Sequence, residues 1–245
     1  MKKMIVANWK MYLNPKNSKE FLRNIKYSIL NIQLIICPSF DVLAEIAKNK
    51  PKGVEIGAQD CFWAERGAFT GEVSPADLKE IGCQYVIIGH SERRQHLEET
   101  DVMINKKLKA ATGAGLIPIF CVGETAAERQ KGAAVKRVKE QMKSGLAGLS
   151  LSARQRIVFA YEPVWAIGTG NFCPAAEAVK MHRLIKKDAM KILKHREIKV
   201  LYGGSVDEKN VLEYLNQPEI DGVLVGSASA KADSFNAILS KFSNI

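Results

Sequence analysis

The sequence lacks any uninterrupted apolar run of about 18 residues, which excludes an α-helical membrane span. After Met1-Lys2-Lys3 only Met4–Ala7 is apolar before Asn8, too short for the core of a signal peptide, so the expected location is the cytoplasm. It also lacks a C-x-x-C pair. Its five cysteines (Cys37, Cys61, Cys83, Cys121 and Cys173) are odd in number and scattered, which argues against a disulfide framework or a zinc site and for free thiols in a reducing compartment. No metal-ligand cluster, nucleophile elbow or dinucleotide fingerprint is present. Histidine is scarce, at four residues, and no linker or low-complexity segment divides the chain, so a single domain over 1–245 is expected.

What is present is charge and pattern. The 245 residues carry a formal net charge of +10, which raises the question of a nucleic-acid partner. The lysines and arginines are spread through helical stretches, as at Lys106-Lys107 and Lys136-Arg137, with no long basic tail. A solvated helix face accounts for them, and neither a nucleic-acid nor a membrane partner is expected. The charge can still steer a small anion. Short apolar runs recur at Met4–Ala7, Leu34–Cys37, Val54–Ala58, Tyr85–Ile88, Leu116–Cys121, Ile157–Ala160, Lys199–Tyr202 and Gly222–Val225. Continuous rather than alternating runs suit parallel strands buried on both faces. Helical spacing lies between them. Residues 175–193 align Ala178, Met181, Ile185, Ala189 and Ile192 on one face, Pro38 and Pro174 stand where helices open, and Asp207 or Ser205 can cap the helix after strand seven, with Ser205-x-x-Glu208 at capping-box spacing. Eight β/α units point to an α/β fold, a single (β/α)8 barrel. A doubly wound open sheet is the competitor, but it usually carries an early G-x-G-x-x-G turn, and here strand one runs into Asn8-Trp9-Lys10.

In a barrel the C-terminal ends of all strands meet at one mouth, so the strand ends are where chemistry is sought. Strand six leads into Tyr161-Glu162-Pro163-Val164-Trp165-Ala166-Ile167-Gly168-Thr169-Gly170, a carboxylate followed by a stiff hinge and a glycine tip. That is a suitable design for a general base under a lid. Strand one projects the ammonium of Lys10 toward the mouth, where it can stabilise developing negative charge. Strand four ends in Gly89-His90-Ser91-Glu92-Arg93-Arg94; a helix N-terminus behind His90 disfavours a second positive charge and keeps the imidazole neutral. Arg93 and Arg94 are expected to pair with Glu92 or other carboxylates. Glycine-rich turns follow strand seven (Tyr202-Gly203-Gly204-Ser205) and strand eight (Val225-Gly226-Ser227-Ala228), the usual phosphate site of this barrel. Taken singly, each residue has a plainer reading: a solvated loop glutamate, a snorkelling lysine, a buried structural histidine. Together they suit proton abstraction beside a carbonyl on a small phosphorylated substrate.

Along nearly the whole chain these residues resemble the triosephosphate isomerases, through N-W-K at 8–10, G-A-F-T-G-E at 67–72, G-H-S-E-R-R at 89–94, C-V-G-E at 121–124, Y-E-P-V-W-A-I-G-T-G at 161–170, Y-G-G-S-V at 202–206 and D-G-V-L-V-G at 221–226. The family is itself a standard illustration of a glutamate base paired with a neutral histidine. The resemblance implies interconversion of dihydroxyacetone phosphate and glyceraldehyde 3-phosphate in glycolysis and gluconeogenesis, without cofactor or metal. It implies Glu162 as base, His90 as electrophile, and Lys10 with Asn8 stabilising the enediolate. Ser91 would hold Glu162 when the lid is open, and Glu92 would support Lys10. Gly168, Ser205, Gly226 and Ser227 would bind phosphate, largely through backbone amides. It also implies a homodimer, with Phe69 and Thr70 on a glycine-flanked loop that enters the partner. Departures from the family pattern are Ser227 in place of a second glycine, the far lid hinge Asn171-Phe172-Cys173, and Asp60 where asparagine is frequent. They predict backbone strain at Ser227 if a left-handed turn is needed there, altered lid kinetics from Phe172, and a pH-sensitive dimer surface from Asp60. Two other functions fit part of the pattern: a phosphate-binding barrel isomerase acting on a sugar amine, and a basic nucleic-acid-binding protein whose binding is salt-sensitive and survives loss of Glu162.

Overall fold

Continuous β-branched runs become strands in this chain because both of their faces find apolar cover. Along β1 (Lys3–Asn8), Met4 and Val6 join an inner cluster that takes residues from most of the strands, while Ile5 and Ala7 join the outer core beneath the helices. This is the two-residue alternation of a strand, applied to two cores at once. The computed structural model describes residues 2–27, 32–152, 155–168, 171–194 and 197–244; Thr169 and Gly170 of the expected lid tip lie outside the described residues.

The other strands are β2 (Ile32–Cys37), β3 (Glu55–Ala58), β4 (Tyr85–Ile88), β5 (Ile117–Val122), β6 (Val158–Tyr161), β7 (Lys199–Tyr202) and β8 (Gly222–Val225). Neighbours pair in parallel and in sequence order, and β8 returns to β1 with Met4 opposite Gly222 and Ala7 opposite Val225. The expected closed (β/α)8 barrel is what the chain forms. Around it run α1 (Pro15–Asn24), α2 (Phe40–Asn49), α3 (Pro75–Ile81), α4 (Ser91–His96), α5 (Asp101–Gly113), α6 (Ala126–Gln130), α7 (Ala134–Gly145), α8 (Ala175–Leu193), α9 (Val211–Leu215) and α10 (Ala232–Ser240). Two connections, β4 to β5 and β5 to β6, each hold a pair of helices rather than one. No helix among the described residues is long and apolar enough to cross a membrane.

Several local expectations are corrected. In α8, Ala178, Met181, Ile185 and Ala189 are buried as the spacing predicts, but Ile192 is exposed and Leu193 takes its place against the core. The apolar stripe of a helix is wide enough to admit either residue, and the neighbour opposite the last turn decides. Other expectations hold: Pro174 stands just before its helix, as the N-cap of α8, and Pro38, just after β2, precedes Ser39, the N-cap of α2. The capping box at Ser205 and Glu208 does not form. The N-cap of α9 is Asn210, and Asp207 Oδ1 instead accepts the N–H groups of Lys209 and Asn210 in a preceding turn. A genuine capping box sits elsewhere, between Thr125 and Glu128 at the start of α6.

Candidate active site

Three strand ends bring Lys10, His90 and Glu162 together. Past β1 the backbone of Lys10 is left-handed, with φ of +49°, an unusual state for a residue with a side chain. Local bonds hold it there. Asn8 Oδ1 accepts the Lys10 N–H at 3.1 Å, and Gln59 Nε2 donates to the carbonyls of Lys10 (2.8 Å) and Cys37 (3.0 Å). The turn aims the Lys10 ammonium at Glu92, with which it forms a short ion pair.

His90 is the N-cap of α4, and its Nδ1 accepts the N–H of Glu92 at 3.2 Å. With Nδ1 accepting there, Nε2 is the ring nitrogen left free to donate. Nε2 lies 3.2 Å from Glu162 Oε1. Glu162 itself is only 2% exposed. Its Oε2 accepts the backbone N–H of Ser91 at 2.8 Å, while Oε1 is buried without a well-aligned hydrogen-bond partner. The Ser91 contact thus comes from the main chain and not from the hydroxyl.

A cavity of about 540 Å³ opens at this mouth. Its lining includes Asn8, Lys10, His90, Ser91 and Glu92 together with Gly168, Gly203, Gly204, Ser205, Gly226 and Ser227. Glu162, almost fully buried, is not among the residues lining the cavity. Ser227 begins a 3-10 turn (Ser227–Ala230) and has no left-handed backbone, so the strain expected from replacing glycine is absent.

The start of the loop after β6 is fastened by Glu124, the last residue of the C-V-G-E motif, to which the motif alone gives no role. Fully buried beyond β5, it accepts from Trp165 Nε1 (2.8 Å) and from the Tyr161 hydroxyl (3.1 Å to each oxygen). Burial pushes the Glu124 carboxyl upward, and the Trp165 hydrogen bond opposes that shift. The Arg129 guanidinium lies 4.2 Å over the Trp165 ring and pairs with Glu177 of α8 at 2.5 Å. Ser205 Oγ donates to the carbonyl of Ala166 at 2.5 Å, which is where the hydroxyl expected in the capping box goes. Applying the strand-end rule to strand five would have flagged Glu124. The same rule applied to strand three would have flagged Gln59, the first residue past β3.

Arg93 and Arg94 do not pair with Glu92, which is engaged by Lys10. Arg94 pairs with Asp101, and Arg93 with Asp60 (3.0 Å) and, at 3.6 Å, with Glu99. Lys107 completes that cluster, bonded to Asp60 at 2.7 Å and, more closely, to Glu99. Asp60 is 4% exposed, so it belongs to a buried cluster behind α4 and not to an open surface of the chain.

Comparison with known proteins agrees with this geometry. The family model for triosephosphate isomerase matches residues 3–242. The chain is 44% identical to the triosephosphate isomerase of Geobacter metallireducens and 45% identical to that of Dictyoglomus turgidum, in each case over 96% of this chain and 97% of the relative. That of Dictyoglomus thermophilum is 44% identical over the same shares. With the barrel, the strand-end residues and these relatives in accord, the chain belongs to the triosephosphate isomerase family.

Proposed function

We propose that the chain performs the family's reaction, interconverting dihydroxyacetone phosphate and D-glyceraldehyde 3-phosphate in glycolysis and gluconeogenesis, with the residues at the mouth in the following roles. Glu162 takes a proton from the carbon beside the carbonyl and returns it to the neighbouring carbon. His90, carrying its hydrogen on Nε2, donates to the carbonyl oxygen and moves protons between the two oxygens of the enediolate. Lys10 and Asn8 stabilise the negative charge that develops there. Ser91 parks Glu162 between turnovers, and Glu92 orients Lys10. Gly168, Ser205, Gly226 and Ser227 hold the phosphate. Hydrogen moves within one molecule, so no oxidant or reductant is consumed. The lid over the site keeps water from an intermediate that would otherwise eliminate phosphate.

The observation that carries this reading is the convergence of a buried, under-bonded Glu162 oxygen and the Nε2 of His90 within 3.2 Å, beside a cavity rimmed by glycine turns. Two further parts of the reading are a homodimer, supported by the exposed Phe69 on its loop, and a cytoplasmic location, supported by five unpaired thiols. A coupled isomerase assay on Glu162→Asp tests the base. Shortening the side chain by one methylene should lower kcat by about a hundred-fold, the cost of misplacing a catalytic group by about an ångström, with KM little changed. Unchanged turnover would remove Glu162 from the role.

A further inference from the structure

Along the sequence the lysines are scattered and each suits a solvated helix face, but the barrel sets two of those faces side by side. α7 carries Lys136, Arg137, Lys139 and Lys143 against the single acid Glu140. α8 carries Lys180, Arg183, Lys186, Lys187 and Lys191 against Glu177 and Asp188. Each helix is thus +3, and together they hold six of the chain's ten net positive charges. The lysines are also in phase. Lys136, Lys139 and Lys143 recur at i, i+3 and i+7, and Lys180, Lys187 and Lys191 at i, i+7 and i+11, so each set lies on one face of its helix. All six are exposed, while Val138, Met142, Ile185 and Ala189 fill the buried sides. A face that meets only water usually interleaves the two signs along a helix. Here that happens once, between Lys136 and Glu140 at 3.9 Å; Asp188, half-buried, makes no ion pair among the described residues. Arg183 and Lys186 pair with Glu219 and Asp221, off the two helices, and Glu177 pairs with Arg129. Lys139, Lys143, Lys180, Lys187 and Lys191 make no ion pair among the described residues.

We propose that this α7–α8 face binds the phosphate backbone of a nucleic-acid duplex. Rows of unpaired, exposed ammonium groups complement a continuous polyanion better than a single small anion. The other residues of the face select among polyanions. It exposes no aromatic ring on which a single strand could stack, and no asparagine, glutamine or unpaired arginine to read a base edge. Its exposed apolar residues are Val135, Met190 and Ile192, without the tryptophan, phenylalanine or leucine that seats a helix in a lipid interface. Contact limited to phosphates takes every sequence alike, and DNA and RNA alike, because neither base edges nor the 2′-hydroxyl is touched. The closed strand order places the helices after β5 and β6 across the barrel from β1 and β2, away from the exposed Met11 and Tyr12 that the proposed dimer would cover. The face also lies on the side of the barrel, clear of the catalytic mouth.

The test is fluorescence anisotropy of the full chain with a labelled mixed-sequence duplex of about 20 base pairs, roughly two turns, as DNA and as RNA. Five lysines on phosphates give a slope of log K against log salt of about −4.5, at roughly 0.9 per contact. Lys139→Gln, Lys143→Gln, Lys187→Gln and Lys191→Gln combined should bring that slope near −1 and weaken binding at low salt by at least about ten-fold, with isomerase activity unchanged. Lys16→Gln, Lys26→Gln, Lys48→Gln and Lys52→Gln combined remove the same charge from exposed positions elsewhere and should leave the slope near that of the parent. Equal loss in the two variants would mean that net charge alone attracts the duplex, and would overturn the proposal. So would failure of the parent to bind, or binding to phosphatidylserine vesicles or polyglutamate but not to the duplex, which would give the face to a membrane or an acidic protein. Glu162→Asp should bind the duplex like the parent, so the outcome is separate from the assignment of Glu162 as base.

Discussion

Asp60 carries its charge in a place that resists it. Burial is the largest influence on its carboxyl and pushes it from 3.8 to about 6, against the attraction of Lys107 and with added repulsion from Glu99. The folded chain therefore holds the Asp60 proton up to about pH 6, whereas the unfolded chain releases it near 3.8. Wherever the unfolded state binds fewer protons, stability falls as pH rises, so the contribution of protonated Asp60 is present below 3.8 and is lost by about pH 6. An asparagine in its place would be neutral throughout. The Tm of Asp60→Asn relative to the parent should accordingly rise between about pH 4 and pH 7 and then level off, by at least the ~2 °C that about 1 kcal/mol represents in a chain of this size. Thermal melts across that range give the answer, and a flat difference would mean that the Lys107 and Arg93 pairs fully offset the burial. The sequence suggested pH sensitivity at this aspartate, near the dimer surface expected from the family; the partners that bury it within the chain lie 33 and 47 positions away, beyond the reach of any local pattern.

At the scale of elements, the chain just past the paired ends of β5 and β6 runs so close that Gly123 admits no side chain. A Cβ there would stand 1.7 Å from the carbonyl oxygen of Glu162. Gly123→Ala must therefore move the backbone that carries the base, and kcat should fall by about a hundred-fold if the shift is about an ångström. Circular dichroism should show the barrel retained, and Gly113→Ala, where an added methyl meets nothing within 4 Å, serves as the silent control. Activity near that of the parent would mean that the strand pair can separate without disturbing Glu162. Strand positions were largely readable in advance because each is a short β-branched run, and three of the eight have the expected bounds, at Tyr85–Ile88, Lys199–Tyr202 and Gly222–Val225. The strand-end rule also led from sequence to Lys10, His90 and Glu162. Ser205 was misread for a physical reason. Its spacing to Glu208 meets the local capping pattern, but its hydroxyl goes to Ala166, 39 residues away, and spacing cannot express that competition.

For the whole molecule, the loop bearing Phe69 and Thr70 is the part with most left to explain. Phe69 packs at a tilt against Phe62, ring centroids 4.6 Å apart, yet remains 45% exposed, and Met11 and Tyr12, just past Lys10, are exposed as well. Apolar groups left on loops near a working site suit burial against a second copy. Phe69→Asp should raise the dimer dissociation constant by at least about thirty-fold, the effect of losing a ~2 kcal/mol hot spot. Activity should fall with the dimer, because Thr70 is expected to reach the Asn8 and Lys10 of the partner subunit. Sedimentation and assay at matched concentrations would decide it, and a fully active monomer would remove the partner from the site.

Pairing Met4 with Gly222 also bears on synthesis. During translation β1 is made well before β8, and the strand that covers its outer edge is complete only at Val225. Until then the growing sheet has an unpaired border at each end, the kind of edge on which chains join one another. Shielding by a chaperone, or delay of folding until the eighth strand has left the ribosome, would thus matter more for this architecture than for one assembled from neighbouring hairpins.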